Sequence, residues 1–227
     1  MAFRRFFTLA ALSICAGFGA CTNTAALKSE TARFDWSSPQ RRLLLVKPDV
    51  ELGEVTAGGV VEPRADWSDS ATRGIEDSLA TALSKRGIQV DTLAALTDPH
   101  EVQLDKLHEV VGREILIHQS GLVPLPTKHS ALDWTLGPGT NTLRDKYGAD
   151  YAMFVFVRDT YSSDSRKAMM LLGMAQGGAQ IAFASLVDLR SGNIVWFNRL
   201  FTEAGDDLRS ASGATGFTAS LLKDSPL

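Results

Sequence analysis

The sequence predicts an α/β or α+β fold, in which a mixed β-sheet packed with helices forms a single domain behind a lipidated tether. Three observations favour this fold class. Apolar runs and amphipathic segments follow one another as strand, helix, strand, helices, strand, hairpin and helix, an order typical of helices packed on a mixed sheet. Residues 151–157, YAMFVFV, are apolar or aromatic throughout, as expected of a central strand covered on both faces. The chain has 227 residues, of which 44% are hydrophobic and 22% charged, the composition of an ordinary globular protein.

The predicted strands of the first half are short. Residues 43–46, LLLV, form an apolar run closed by Pro48, which predicts a buried strand. Residues 50–63 carry Gly58-Gly59 between valine-containing segments, which predicts a hairpin or an irregular strand pair. Residues 88–90, IQV, predict a further strand after the first helix.

Helices are predicted from apolar spacing and from the residues that cap helix ends. The first helix ends near Gly87, where a C-terminal cap belongs, and has apolar residues four apart: Ala71, Ile75, Leu79 and Leu83. Asp98 and Pro99 are an N-cap and a proline at the first helical position of the second helix. Its predicted apolar face consists of Leu104, Leu107, Val111 and Ile115. After a long loop over residues 121–139, the segment NTLRDKYG predicts a short helix.

The second half is rich in strands. Residues 181–189 and 193–201 are apolar runs joined across Ser191-Gly192, a pattern that predicts a hairpin. Trp196 and Phe197 point to opposite faces of the second of these strands, so both faces of the sheet are expected to be covered. The last predicted element is a short helix that carries Phe217, Leu221 and Leu222.

The first twenty residues have the pattern of a secretory signal peptide. Arg4 and Arg5 make a positive start, and the apolar core over residues 6–14 is too short to span a bilayer, which needs about 20 apolar residues. Phe18-Gly19-Ala20, followed by Cys21, resembles a bacterial lipobox. This resemblance implies that the Cys21 thiol is alkylated with diacylglycerol, that the chain is cut before this cysteine, and that the new amino terminus is acylated.

Other processing routes stay open. Ordinary cleavage after Ala20 is disfavoured, because Phe18 is too large for the position three residues before the cut. A cut after Ala26 is one alternative, and twin-arginine export through Arg4-Arg5 is another. Lipidation predicts three parts: a lipoprotein signal peptide over residues 1–20, the lipidated cysteine and a flexible tether over residues 21–40, and a globular α/β domain over residues 41–227.

No motif of a known catalytic or cofactor-binding site is present in the sequence. Its formal net charge is −3 without a basic stripe, so no nucleic-acid partner is expected. The four histidines lack a zinc-binding spacing, and no cysteine follows Cys21 to act as a nucleophile. We therefore predict no catalytic residue, no metal site and no cofactor, and expect that the protein is not an enzyme. The alternative is a lipid-anchored periplasmic hydrolase whose site is assembled from scattered Asp, Ser and His residues.

One segment is a candidate interaction surface. Residues 166–178, here called the flap, combine basic side chains, a methionine-rich apolar run and Gly177-Gly178. Methionine-rich surfaces adapt to varied partners, and a basic-flanked apolar turn can rest on a membrane interface. The glycines favour a mobile flap, whereas the alternative is a core helix that crosses over the sheet between two strands. The predicted interaction residues are Met169, Met170, Leu171, Leu172 and Met174.

Two stretches of the second half resemble a known class of lipoprotein. Together with the lipobox, residues 147–157 (YGADYAMFVFV) and 184–197 (ASLVDLRSGNIVWF) are similar to small Gram-negative envelope lipoproteins of the curli-secretion and penicillin-binding-protein-activator type, whose body resembles the amino-terminal domain of TolB. The resemblance implies a non-enzymatic protein that binds or helps to assemble another cell-envelope component. Its implied partners are the membrane, through the anchor at Cys21, and an envelope protein. Thr22, in place of an aspartate, implies the outer membrane, facing the periplasm.

Overall fold

The structure, a computed structural model, describes residues 23–29, 34–37, 41–119, 123–128, 131–203 and 205–227. The predicted signal peptide and Cys21 lie outside the described residues. Within them, the chain forms one mixed β-sheet with helices on both faces, which confirms the predicted fold class and its single domain. No helix in the described part of the chain is both long enough and apolar enough to cross a bilayer.

The elements follow the predicted order with two additions, a strand at the start and a short helix between the central strand and the hairpin, and the strand predicted over residues 88–90 is found at Val90–Leu93. The strands are β1 (Asn23–Lys28), β2 (Leu43–Val46), β3 (Asp49–Val55), β4 (Val61–Pro63), β5 (Val90–Leu93), β6 (Tyr151–Ser162), β7 (Gln180–Asp188) and β8 (Ile194–Thr202). The helices are α1 (Ala65–Lys85), α2 (Pro99–Gln119), α3 (Asn141–Tyr147), α4 (Asp164–Leu171) and α5 (Ala211–Leu221), and a 3₁₀ turn (Pro138–Thr140) precedes α3.

The long strand β6 is the centre of the sheet. Neighbouring strands follow the order β1-β8-β7-β6-β2-β5, and β3 pairs with β6 beyond the end of β2 and carries β4 on its other side. β2 and β3 run parallel to β6, whereas β7 runs antiparallel to it. Pro48 separates β2 from β3, because proline lacks the backbone N–H that one continuous ladder would need.

Helices cover the two faces of the sheet over separate hydrophobic clusters. α1 and α5 pack on one face, and all four residues of the predicted α1 face are buried there. α2 and α3 cover the other face, where the buried rings of β6, β7 and β8 stack on one another. The buried side chains that define the two layers are Ile75, Leu79, Leu83, Phe217 and Leu221 on the first face and Leu104, Ile115, Leu143, Phe156 and Phe183 on the second.

The buried face of α2 differs from the predicted one. Leu107 is exposed, because the helix turns Asp105, His108 and Gly112 toward the sheet. A Cβ at Gly112 would overlap the ring of Phe183, so the helix can approach this ring only where it has no side chain. Apolar spacing alone does not reveal a helix face built from polar and small residues.

The predicted hairpin around Ser191-Gly192 is confirmed. β7 and β8 pair antiparallel, and Gly192 has a φ of 77°, in the left-handed region that favours glycine. Trp196 and Phe197 are both fully buried, and each belongs to a different one of the two clusters. Both faces of the sheet are therefore covered, as predicted.

The stretch predicted as a flexible tether holds ordered structure. Residues 23–28 form β1, which pairs antiparallel with β8, and Leu27 packs against the cluster on the α2 side. Further along the same stretch, Phe34 and Trp36 pack against Tyr151, with ring centroids 5.1 and 5.8 Å away. The strand was not predicted because NTAALK has little β-propensity, and its stability comes from hydrogen bonds with the edge of β8. The predicted tether is thus replaced in part by a strand, while the cleavage and domain boundaries stay predictions.

Candidate functional site

The flap stands at one end of the sheet, where the chain leaves β6 and returns in β7. Its first half belongs to α4, whose N-cap Ser163 accepts a hydrogen bond from the backbone N–H of Arg166 at 3.3 Å. No residue of α4 is buried, so the alternative of a core helix is wrong. The exposed fractions of the predicted interaction residues are 89% for Leu171, 74% for Leu172, 67% for Met174 and 39% for Met170, and Met169 is half-buried. Their use as a contact surface stays a prediction.

Arg166 holds the two ends of the flap together. Its Nε donates a hydrogen bond to the backbone carbonyl of Gln176 at 2.8 Å, and its Nη1 donates to that of Thr56, in the β3–β4 turn, at 3.4 Å. At the base of the flap, the backbone N–H of Ala179 donates to Thr160 Oγ1 at 2.9 Å, and the N–H of Thr160 donates to the Ala179 carbonyl at 3.1 Å. The flap is therefore fixed at its base and along one side, and its apolar turn faces solvent.

The paired glycines do not have the role that the sequence predicted. Neither Gly177 nor Gly178 has a positive φ. A Cβ at Gly178 would overlap the backbone carbonyl oxygen of Thr160, so glycine is needed here for the close approach of two backbone segments. Gly178 thus tightens the base of the flap, and the left-handed glycine of the segment is Gly173, with a φ of 69°.

Two cavities flank the flap. The first has a volume of about 250 Å³ and lies between the flap and the ends of β6, β7 and β8, with Asp159, Gln180 and Met170 in its wall. The second has a volume of about 650 Å³ and lies between the flap and the β3–β4 turn, with Arg166 and Met174 in its wall. None of the flap residues belongs to either core cluster, so the flap lies between open cavities and outside the packed core.

A buried carboxylate lines the first cavity. Asp159 Oδ2 accepts hydrogen bonds from Tyr161 Oη at 2.6 Å and from Gln180 Nε2 at 2.9 Å. Burial raises the pKa of Asp159, and burial together with the nearby Asp159 charge raises that of Tyr161, which therefore donates as a neutral phenol. Tyr161 Oη accepts in turn from the Leu208 N–H at 2.9 Å, and the Arg209 guanidinium lies 4.1 Å from the ring centroid. These contacts join β6, β7 and the segment before α5, which gives the carboxylate a structural role.

The structure brings one serine and one histidine together, but in the core. His108 Nε2 lies 2.9 Å from Ser185 Oγ, and the imidazole packs between the rings of Phe154 and Phe183, with centroids 5.1 and 5.3 Å away. Burial lowers the pKa of His108 to about 3, so the imidazole is neutral at physiological pH. Both side chains are closed off from solvent, and a substrate has no path to the hydroxyl. This pair therefore stabilises the packing of α2 on the sheet and does not form the site that a hydrolase would need.

Charged side chains from α2, β3 and β6 form a cluster around Asp49, the first residue of β3. Asp49 accepts from Arg158 Nη1 and from Lys106 Nζ, each at 3.0 Å. Asp105 lies beside them, and burial, together with the charges of Asp49 and Glu109, raises its pKa to about 6. The described residues contain no group of three or more His, Cys, Asp or Glu side chains that could hold a metal ion.

Asp105→Asn is expected to raise the melting temperature near neutral pH and to change it little at about pH 4. The native-state pKa of about 6 lies above the ordinary value of 3.8, so the stability that this group contributes is greatest below 3.8 and is lost as the pH rises through about 6. An amide carries no charge at either pH and avoids the loss. Differential scanning fluorimetry at both pH values tests this, with Asp69→Asn on the exposed face of α1 as the control. A gain of equal size at both pH values would contradict the prediction.

The double variant Met170→Ser/Leu171→Ser is expected to stay folded, with a change in the free energy of unfolding below ~1 kcal/mol, because both side chains lie at the surface. The matched control is Leu44→Ser/Leu45→Ser in β2, where both side chains are buried and each loss costs ~2–5 kcal/mol. Thermal unfolding of both variants compares them directly. If the flap variant lost as much thermal stability as the control, Met170 and Leu171 would have to be core residues, and the prediction would be wrong.

Comparisons with known proteins find similarity in structure only. No protein-family model matches the chain, and no curated protein matches it in sequence. Among solved structures, a PelC dodecamer from Paraburkholderia phytofirmans is similar at 12% identity, with 89% of this chain and 96% of that chain covered and a TM-score of 0.39. Lipoprotein GNA1162 from Neisseria meningitidis is similar at 18% identity, with 82% and 99% covered and a TM-score of 0.35. The LpoB C-terminal domain from Salmonella enterica is similar at 14% identity, with 71% and 82% covered and a TM-score of 0.29.

One of these neighbours is named as a lipoprotein, the class that the sequence resemblance implies for this chain. Because every TM-score is below 0.5 and every identity is below 25%, nothing about the contacts or partners of this chain follows from the neighbours.

Proposed function

We propose that this protein is a lipid-anchored, non-enzymatic lipoprotein of the cell envelope that binds or helps to assemble another envelope component. The anchor is the diacylglycerol-modified thiol of Cys21. The membrane is the outer membrane and the domain faces the periplasm, which is supported by Thr22 in place of an aspartate after the cysteine.

The observation that carries this proposal is the exposure of the flap. A helix of eight residues without a buried side chain leaves Leu171 and Leu172 in water at the end of a well-packed sheet. Removing such apolar surface from water contributes about 25 cal/mol per Å², so a contact that covers it is favoured. Arg166 holds the flap in place before any partner arrives, which lowers the entropic cost of binding.

The proposal that the protein is not an enzyme is supported by the hydrogen bonds of its buried polar side chains. The buried His108 and Ser185 bond to each other inside the core, and Asp159 is bonded to Tyr161 and Gln180. Neither arrangement pairs an activated nucleophile with an open substrate site, which catalysis by acyl transfer requires.

Crosslinking in intact cells tests whether the protein has an envelope partner. A photo-activatable amino acid is placed at Val110, on the exposed face of α2, and at Leu171 in the flap, with Ser84 at the end of α1 as the control position. We expect a discrete adduct with one envelope component from Val110 or Leu171 and none from Ser84. Adducts that are equally diffuse at all three positions would refute partner binding.

Cys21→Ser is expected to abolish incorporation of a fatty-acid analogue into the protein, because only the thiol can form the thioether to diacylglycerol. Metabolic labelling of cells that express the wild type or the variant measures this, and membrane fractionation should show release of the variant. Cys15→Ser is the matched control and should be labelled like the wild type. Equal labelling of wild type and Cys21→Ser would exclude the anchor.

A further inference from the structure

The first described strand begins close to the proposed anchor. β1 starts at Asn23, two residues after Cys21. Two residues of fully extended chain reach about 7 Å. If Cys21 carries lipid, its Cα lies near the headgroups, and the start of β1 must therefore lie within about 7 Å of the membrane surface. The 19-residue tether expected from the sequence would have allowed a much greater distance.

The start of β1 lies at the same end of the sheet as the flap. Asn23 is opposite Phe201 in β8, and Phe201 is opposite Ile181 in β7. Ile181 is opposite Arg158 in β6, four residues before the last residue of that strand. Three strand spacings of about 4.8 Å separate β1 from β6, so the anchor lies only about 14 Å sideways from the strand that leads into the flap.

Exposed apolar side chains are concentrated at this end. The flap contributes its apolar turn, the β3–β4 turn contributes its valines, and the ends of β7 and β8 each contribute one residue. These exposed side chains are Leu171, Leu172, Met174, Val60, Val61, Ile181 and Phe201. The flap and the β3–β4 turn are joined by the hydrogen bond from Arg166 to the Thr56 carbonyl, so they present their apolar groups together.

Charge does not explain an attraction of this end to anionic lipids. Lys167 is paired with Asp164 at 2.9 Å and shares the wall of the first cavity with Glu203, and the Arg166 guanidinium donates to the backbone carbonyls of Gln176 and Thr56. The favourable contribution at this end must therefore come from burial of apolar surface, which does not depend on headgroup charge.

We propose that the flap inserts its apolar turn, Leu171, Leu172 and Met174, into the leaflet that holds the Cys21 lipid, so that the domain rests on the membrane by the flap end of its sheet. This inference rests on the proposed function, because it uses the anchor at Cys21. It goes further in naming the ligand of the flap, which is the acyl-chain region of the bilayer. The flap is then the membrane contact of the proposed function, and binding of a protein partner is tested by the crosslinking position Val110 on the exposed face of α2.

A single introduced cysteine can test the position of the flap in the full, lipidated chain. Cys15 leaves with the signal peptide and the Cys21 thiol is alkylated, so an added cysteine is the one free thiol in the mature protein. Leu172→Cys places an environment-sensitive fluorophore in the flap. Ser84→Cys is the control in the last turn of α1, which leads to Val90 at the other end of the sheet, beside the start of β2.

The labelled proteins are reconstituted into vesicles of phosphatidylethanolamine and phosphatidylglycerol that carry a nitroxide on the acyl chains near the headgroups. We expect a blue-shifted emission and loss of most of the fluorescence for the probe at position 172, and neither effect at position 84. The result at position 172 should be unchanged in vesicles of phosphatidylcholine, because apolar burial and not charge holds the flap.

Three other results would each overturn this inference, and the first of them would also overturn the proposed anchor. If the parent protein without an added cysteine takes up the fluorophore, Cys21 is a free thiol, and the proposed anchor fails together with this inference. If the parent is unlabelled but the probe at position 172 stays unquenched in the vesicles, the anchor stands and membrane insertion of the flap is overturned. A discrete protein adduct from Leu171 in cells, with no quenching by nitroxide lipid, would assign the flap to a protein partner and overturn the inference as well.

Discussion

Trp196→Ala and Phe197→Ala should each lower the free energy of unfolding by ~3–5 kcal/mol. The two residues are neighbours on β8, both are fully buried, and they belong to the clusters on opposite faces of the sheet. Each truncation leaves a cavity that the close-packed surroundings cannot fill. The indole Nε1 of Trp196 has no hydrogen-bond partner in the described structure, so the loss at this position comes from packing alone.

The control for this pair is on the same strand. Phe201→Ala removes an identical ring that is 51% exposed, and its effect should be much smaller than that of Phe197→Ala. Urea unfolding followed by circular dichroism gives the three free energies. If Trp196→Ala or Phe197→Ala left the midpoint unchanged, one face of the sheet would be open to solvent, and the arrangement of helices on both faces would be wrong.

Gly178→Ala is expected to destabilise the base of the flap by ~1–3 kcal/mol, the usual cost of overpacking. The added Cβ would overlap the Thr160 carbonyl oxygen, and a backbone atom cannot move aside as a side chain can. The Ala179–Thr160 hydrogen bonds that close the flap would have to lengthen or break. The local effect should therefore exceed the change in global stability.

The adjacent glycine provides the matched control. A Cβ at Gly177 would lie 3.1 Å from Met170 Cε, the far end of a flexible side chain that can turn away. Gly177→Ala should consequently be tolerated. Limited proteolysis reports opening of the flap, since cleavage after Arg166 or Lys167 requires the segment to leave its hydrogen bonds. Equal protease resistance of the two variants would show that the close approach at Gly178 is not needed.

Much of the fold is predictable because burial is strongly periodic in most elements. The four-residue spacing of α1, the apolar run of β2 and the Ser-Gly turn between β7 and β8 each have one dominant physical cause, and each is confirmed. β1 could not be predicted in the same way. Its stability comes from hydrogen bonds to β8, a strand more than 160 residues away in the chain. The composition of β1 itself does not predict this pairing.

The sequence identifies residues 166–178 as the candidate site, but it does not show where this segment lies in the fold or which residues surround it. The methionines and leucines beside basic residues predict that the flap is an interaction surface. The exposure of these apolar side chains agrees with that prediction. The sequence could not show that Phe201 and Ile181 would join the flap at one end of the sheet, because that follows from strand register. The sequence also does not reveal the role of Gly178, because composition cannot distinguish a glycine that adds conformational freedom from one that permits a close backbone contact.

The pairing of β1 with β8 sets an order of events during biogenesis. Asn23 is paired with Phe201, and within the described part of the chain β8 is the one strand that pairs with β1. At a synthesis rate of ~5–20 residues per second, the start of β1 is made roughly 10–35 s before the residue opposite it. If Cys21 is acylated as proposed, the modifying enzymes can reach it most easily during this interval, while β1 is unpaired. Once β8 has joined β7 and paired with β1, the proposed site of acylation is two residues from a folded sheet. Pairing of β1 is therefore expected to be a late step of folding, and it would restrict access of acylating enzymes if it came before acylation.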